Sequence, residues 1–266
     1  MKEYKPVITL NRNSRGCYIL DTIKGCSGCN TSRPHGCYDN CYAQNIASRY
    51  GFGFSGVKKR SFERDESQAY FLGFEDTKHE SDIVRAIKNI DMHFVRIGEM
   101  GDPSEDWAHT IDVCRSIAIA QKTIVIITKH WKYIPDSILP DIEKLGVCVN
   151  TSISALDTDD EIAHRLNQYN RLKPYCNSVL RVVSCDFNKE SMEGVRRHVI
   201  QERLFQNENV IDTVFRPYPT NRLVTEKIIN VEKVRFLRST VWASLHNKNA
   251  YLGKCDTCPD MCGINF

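Results

Sequence analysis

Short apolar, β-branched runs recur along the second half of the chain, at Phe94–Ile97 and at 123–127, 147–149, 179–183 and 213–215. Each is the length of a buried strand, and polar or turn-forming residues follow it. An earlier strand falls at 5–10 or at 17–20, and the pattern leaves that choice open. Helical spacing fills most of the intervals. Trp107, Ile111, Cys114 and Ile117 share one face, with Ser104 as a candidate cap and Glu105 and Asp106 in the first turn. Thr158 and Glu161 read as a capping box ahead of Ile162, Leu166 and Tyr169. Met192, Val195, Val199 and Leu204 predict the inward face of a helix over 191–205, and Ile83, Val84 and Ile87 predict another over 81–89. Further upstream, Tyr42, Ile46 and Tyr50 repeat at helical spacing before Gly51.

Strand and helix alternating every 25 to 35 residues or so argue for βα units on a parallel sheet. About six units suit an α/β fold of the partial (β/α)6 TIM-like barrel kind better than eight closed strands. The expected organisation is a barrel-like body over 1–240 and a cysteine-rich C-terminal extension over 241–266.

Length and charge narrow the class. A chain of 266 residues builds one sizeable core. A net charge of +3 is far from the bias of a protein that coats nucleic acid. The basic residues Lys58, Lys59, Arg60 and Arg64 read as a solvated loop, with a phosphate contact as the sharper alternative. The N-terminus lacks an apolar signal-peptide core, and no stretch reaches the roughly 18 apolar residues of a membrane span. The reading is therefore cytoplasmic, with no membrane partner and with thiols kept reduced.

In that setting the 12 cysteines change the picture. Cys26, Cys29, Cys37 and Cys41 fall within 16 residues, and a helix pattern starts directly after Cys41. Clustered reduced thiols are soft ligands, suited to zinc or an iron–sulfur cluster, and a helix N-terminus favours the thiolate at Cys41. A second group, Cys255, Cys258 and Cys262, spells CxxCxxxC with Pro259 and Gly263. It is one ligand short of a closed site, which Cys17 or Cys29 could complete; an auxiliary iron–sulfur cluster and a zinc staple fit equally. Cys114 and Cys148, and more weakly Cys176 and Cys185, read as core residues.

Chemistry in α/β sheets sits at the carboxyl ends of the strands. The residues following the apolar runs include Gly98, Glu99, Gly101 and Asp102, then Thr128, Lys129 and His130, then Asn150, Thr151 and Ser152, then Ser184, and finally Arg216. Any one of them alone would be an ordinary cap or surface group. Five polar ends along one rim predict a site, with the Gly-Glu and Gly-Asp pairs letting a ligand approach the backbone and a carboxylate accept from an ammonium or a ribose hydroxyl.

Over residues 17–216 the chain resembles the radical S-adenosylmethionine superfamily, and more closely its phage and prokaryotic members of unassigned substrate. Gly25-Cys26-Ser27 and Cys41-Tyr42-Ala43 resemble the start and end of that family's cysteine loop, and Gly98-Glu99 or Gly101-Asp102-Pro103 its Gly-Glu motif. The usual CxxxCxxC spacing is absent. The loop has CxxC, seven residues and CxxxC, so either Cys26 or Cys29 would join Cys37 and Cys41. The resemblance implies a [4Fe–4S] cluster with one iron open to the amino and carboxylate groups of S-adenosylmethionine. It also implies reductive cleavage to a 5′-deoxyadenosyl radical that abstracts hydrogen from substrate, and an electron donor such as flavodoxin or ferredoxin. The substrate stays open: a nucleobase in DNA or RNA, a small metabolite and a peptide all fit. The competing reading is a four-cysteine zinc protein that binds nucleic acid or serves as a scaffold.

Overall fold

The computed structural model describes residues 6–30, 32–33, 36–51, 53–62 and 79–265. Arg64, expected in the basic loop, lies outside the described residues. The main sheet has seven strands. Its first, β1 (Asn11–Arg12), is antiparallel to β2 (Tyr18–Leu20). Between β2 and the next sheet strand comes a small hairpin-like pair, β3 (Ile23–Lys24) and β4 (Lys58–Lys59). Then follow β5 (Phe94–Ile97), β6 (Thr123–Thr128), β7 (Cys148–Ile153) and β8 (Asn177–Ser184), the short β9 (Asp186–Phe187), and β10 (Val210–Val214). The spatial order is β1-β2-β5-β6-β7-β8-β10, and every pair after the first is parallel.

Helices α1 (Tyr42–Arg49), α2 (His79–Lys88), α3 (Trp107–Ile117), α4 (Leu139–Leu145), α5 (Asp159–Leu172) and α6 (Met192–Phe205) precede or link those strands, and a single turn, α7 (Arg222–Thr225), follows. The chain closes with β11 (Ile229–Asn230) beside β9, the hairpin β12 (Glu232–Phe236) and β13 (Ser239–Ala243), and a tail of 3₁₀ turns. The strands read as continuous apolar runs because helices cover the sheet: Val125, Ile126, Val149, Val179 and Phe94 are all fully buried. Cys255 and Cys262 of the tail belong to that same apolar cluster. Among the described residues no helix is long and apolar enough to cross a membrane.

Several sequence expectations change. Of the two candidates for the first strand, 17–20 supplies the sheet strand β2, whereas Val7 makes only a bridge to Ser61. Ser104 does not cap α3. Asp102 caps a preceding 3₁₀ turn through the Ser104 N–H, and Asp106 caps α3 through the His109 N–H. The capping box at Thr158 and Glu161 forms as expected. On α6 most of the predicted inward face turns out: Met192 is 90% exposed, with Val195 and Val199 also exposed, while Leu204 is buried as expected, together with Gly194 and Gln201. On α1, Tyr42, Ile46 and Tyr50 face outward and Ala43 and Ala47 face in. Lys58 and Lys59 form strand β4 rather than a loose loop, with Lys59 paired to Asp106 at 2.6 Å.

Candidate metal and substrate site

A cavity of about 300 Å³ opens at the carboxyl ends of the parallel strands. Cys26, Cys37 and Cys41 form one wall, and Gly98, Glu99, Gly101, Asp102, Thr128, Lys129 and Ser152 form the other. Sequence reasoning placed these ten residues at one site. Its remaining candidates stand elsewhere. Strand β7 runs on to Ile153, so Asn150 and Thr151 lie within the sheet, where Asn150 meets Arg181 and Thr151 meets His130. Strand β8 likewise extends to Ser184, whose hydroxyl donates to Asp212 at 2.5 Å. Arg216 stacks over Phe236 and lines a different cavity.

The cysteine wall is shaped by its loop. Cys41 is the N-cap residue of α1. Its thiol is held down at about 6 by a hydrogen bond from Cys29, aided by the Gln44 and Ala43 N–H groups of the helix start and by Lys129. Cys29 lies behind the wall, 4% exposed, with its own thiol pushed up by contacts to Cys26 and Cys41. Burial pushes Cys37 up to about 11. The donor set fits a cluster held by three thiolates with a face left open, because three cysteines share a cavity wide enough for a further ligand. A tetrahedral zinc ion would draw its thiolates to about 3.8 Å from one another. Among the described residues the group of ligand atoms gathered within 4.8 Å is His198, Glu202 and His246 on the outer surface, and no such set of cysteines is found.

The Gly-Glu wall is fixed by hydrogen bonds that point away from the cavity. Gly98 has φ +96°, and a Cβ there would lie 2.3 Å from the Ile127 carbonyl oxygen. At Gly101 a Cβ would lie 2.2 Å from the Ile23 carbonyl oxygen, where the loop bridges to Gly25. Asp21 accepts from the N–H groups of Glu99 at 2.7 Å and Met100 at 3.1 Å. Tyr42, next to Cys41, donates its hydroxyl to the Glu99 carbonyl at 2.7 Å and so ties the two walls together. The Glu99 carboxylate receives Arg96 and Asn13 on Oε2, while Oε1 has no hydrogen-bond partner among the described residues and can accept from a cationic amino group. Asp102 is different. It already accepts from Ser104 N–H, the Ser104 and Thr128 hydroxyls and Lys129 N–H, so its work is to hold the loop.

A charged pair that sequence reasoning missed supports the floor. Asp157, 5% exposed, accepts from the Tyr38 hydroxyl at 2.8 Å, lies 3.5 Å from Lys129 Nζ and pairs with Arg165, which is 1% exposed. Burial alone would raise the Asp157 carboxyl; Lys129 and Arg165 outweigh it and hold it below the usual carboxylate range. Arg165 also donates to the Lys129 carbonyl at 2.7 Å and lies over Trp131, 5.0 Å from the ring centre. Lys129 donates to the Tyr38 hydroxyl. A signal for Arg165 was present, since it shares the helical stripe of Ile162, Leu166 and Tyr169. Tyr38, Phe54, Trp131 and Phe215 add an aromatic lining that carried no sequence signal. His130, a strand-end residue whose alternatives were positioning substrate or ordinary packing, is packed: it is 1% exposed, and burial pushes its imidazole down to about 3.

The comparisons agree with this geometry. No protein-family model and no curated protein matches the sequence. Three solved structures match over 90–92% of this chain and 72–73% of their own, all of them spore photoproduct lyase. One is a double mutant with bound AdoMet and dinucleoside spore photoproduct (TM-score 0.53, 12% identity), one a complex with dinucleoside spore photoproduct (0.52, 11%), and one a cysteine-to-serine mutant (0.51, 12%). The chain has the fold of spore photoproduct lyase. That enzyme belongs to the radical S-adenosylmethionine superfamily, the family whose motifs Cys41-Tyr42-Ala43 and Gly98-Glu99 resemble.

Proposed function

We propose that the chain is a radical S-adenosylmethionine enzyme on a partial (β/α)6 barrel, with Cys37, Cys41 and Cys26 holding a [4Fe–4S] cluster. The observation that carries this reading is that these three thiols and the Gly-Glu segment line one cavity at the carboxyl ends of the strands. Cys26 is preferred to Cys29 because it lines that cavity. When bound, the reduced cluster supplies the electron that cleaves S-adenosylmethionine to a 5′-deoxyadenosyl radical, the electron coming from a flavodoxin- or ferredoxin-type donor.

The residues of the chain bind and orient. Glu99 Oε1 accepts from the methionyl ammonium, and Ser152 and Thr128 border the space for the remainder of the cofactor. Lys129, fixed by Tyr38 and Asp157, places a positive charge beside the thiolates and restrains them electrostatically. Phe54, Trp131 and Phe215 exclude water from the reacting centre. The substrate in this reading is a nucleobase or modified nucleotide. Aromatic faces stack on bases, whereas the arginines of the adjoining recess of about 180 Å³ are already paired, Arg33 with Glu161, Arg197 with Glu193 and Arg222 with Glu226, so the aromatic lining is what favours this class. The dinucleoside held by two of the solved neighbours supports this class.

The test is anaerobic reconstitution followed by dithionite and S-adenosylmethionine. Brown protein absorbing near 400 nm that releases 5′-deoxyadenosine is the expected result. Colourless, zinc-loaded protein that releases none would overturn the reading in favour of a zinc scaffold.

A further inference from the structure

The tail with Cys255, Cys258 and Cys262 packs across the strands, and the cavity it lines runs from Phe94 at the amino end of β5 to Arg216 past the carboxyl end of β10. The Cys255 N–H donates to the Arg15 carbonyl at 2.8 Å, and Arg15 Nε donates to the Gly253 carbonyl at 2.9 Å. Asn150 donates to the Cys262 carbonyl at 2.9 Å and Asn177, the first residue of β8, to the Gly263 carbonyl at 2.7 Å. These bonds fix the CxxCxxxC backbone against β2, β7 and β8. Cys255, Cys258 and Cys262 then line a narrow cavity of about 40 Å³.

Cys17 and Cys29 were equal candidates for a fourth ligand in the sequence. The fold separates them. Cys29 is committed to Cys26 and Cys41 beside the other cavity, whereas Cys17, fully buried just ahead of β2, has its thiol in contact with that of Cys255.

The cavity is also rich in cations. Arg15, Arg96, Arg181 and Arg216 line it, against Asp212 and Asp260. Arg96 is balanced by Glu99. Arg181 bonds only to Asn150 Oδ1 and Thr213 Oγ1, Arg15 to a carbonyl, and Arg216 lies over Phe236; among the described residues none of these three forms an ion pair. Arg15 and Arg181 are half-buried and Arg216 is exposed, so an anion set among them would gain a favourable charge balance without a large desolvation cost. The tail thiols, like those of the loop, are not drawn together as tightly as a zinc ion requires, and four thiolates around a [4Fe–4S]²⁺ core carry two negative charges.

We propose that Cys17, Cys255, Cys258 and Cys262 form a second, four-thiolate [4Fe–4S] centre whose negative charge is balanced by Arg15, Arg181 and Arg216. With all four positions held by protein sulfur, this centre has no place for S-adenosylmethionine, and it fastens the tail to the start of β2. It stands independently of the radical reading.

The test removes the first cysteine set. The Cys26→Ala/Cys29→Ala/Cys37→Ala/Cys41→Ala protein should still purify anaerobically with one full cluster of iron and sulfide per chain, and zinc in its place would overturn the assignment. Adding Cys17→Ala should lower that content at least tenfold after a chelator wash, while Cys114→Ala, equally buried on α3, should leave it unchanged. Arg181→Gln keeps all four thiols and should release metal to chelator several-fold faster, a result that holds even where Cys17→Ala folds poorly. A metal-free first-set variant, full retention with Cys17→Ala, or unchanged release with Arg181→Gln would each overturn the proposal. None of these outcomes bears on 5′-deoxyadenosine formation by the intact chain.

Discussion

Two cysteine groups line separate cavities beside one sheet, and their surroundings differ. The loop of Cys26, Cys37 and Cys41 faces a cavity of about 300 Å³ walled by polar strand ends and aromatic rings. The tail of Cys255, Cys258 and Cys262 faces about 40 Å³ lined by arginines. Similar ligands therefore serve different ends. An open coordination position is useful only where a substrate can reach it, which the wider cavity allows; in the narrow one a closed, charge-balanced centre would add rigidity without chemistry.

The largest expected effect separates the two groups directly. Cys41→Ala should abolish 5′-deoxyadenosine formation, a loss of more than about 1000-fold, equal to ~4 kcal/mol of barrier. It should remove the metal of the open site and spare that of the tail, and metal content measured beside activity checks both. If Cys41→Ala empties the tail as well, the two groups form one folding unit and the contrast fails.

Asp157→Asn probes the support beneath the open site alone. Arg165 is 1% exposed and would keep only Glu161, at 3.8 Å, so removing its nearer partner should cost about 3 kcal/mol. Thermal unfolding should show it as a large drop in Tm. The same pair sets an acid limit. The folded Asp157 carboxyl lies below its ordinary value, so its contribution is fully present above pH ~4 and is lost as pH falls through the folded value. Wild-type Tm should therefore fall on acidification below pH ~4, by more than that of Asp157→Asn.

The part of this contrast that was legible in the sequence follows from which signals are local. Apolar runs and the Thr158 capping box need only neighbouring residues to be read, and β5, β6 and α5 formed where expected. Polar residues beyond a run were harder, because the spacing does not show where a strand ends. β7 carries its ladder through Asn150 and Thr151, pairing them with Val179 and Leu180, so they became sheet residues. The contact of Cys17 with Cys255 joins positions far apart in the chain, and no local pattern announces such a partner; Arg165 lies on the α5 stripe, but its partner Asp157 stands ahead of the helix, where spacing does not show which way it faces.

Gly98→Ala should have a smaller effect than losing the Asp157 charge, because the change is confined to one wall of the open site. The residue holds φ +96°, and the new Cβ meets the Ile127 carbonyl oxygen at 2.3 Å, so the strand end must shift. A cost of about 1–3 kcal/mol follows from the strained backbone. Because Asp21 and Tyr42 tie the same segment, S-adenosylmethionine affinity should fall by about tenfold or more, equivalent to ~1.4 kcal/mol. Calorimetric titration of the reconstituted protein reads that shift, and unchanged affinity would remove the Gly-Glu segment from the cofactor wall.

The smallest effect comes from α6, which serves neither cysteine group. Helical spacing assigned Met192 to the core, yet it is 90% exposed, and the helix instead buries Gly194 and Gln201, whose side-chain amide bonds both the N–H and the carbonyl of Cys185. A glycine lets α6 approach Asn188 closely, with the carbonyl oxygen 2.0 Å from where a Cβ would stand, and that contact rotates the apolar residues outward. Met192→Gln should therefore change stability by no more than about 0.5 kcal/mol. Gln201→Leu should cost more, about 1–3 kcal/mol, by leaving two buried backbone groups of Cys185 unsatisfied. Paired urea denaturation curves decide the matter: a larger loss for Met192→Gln than for Gln201→Leu would mean that α6 packs through its apolar stripe after all.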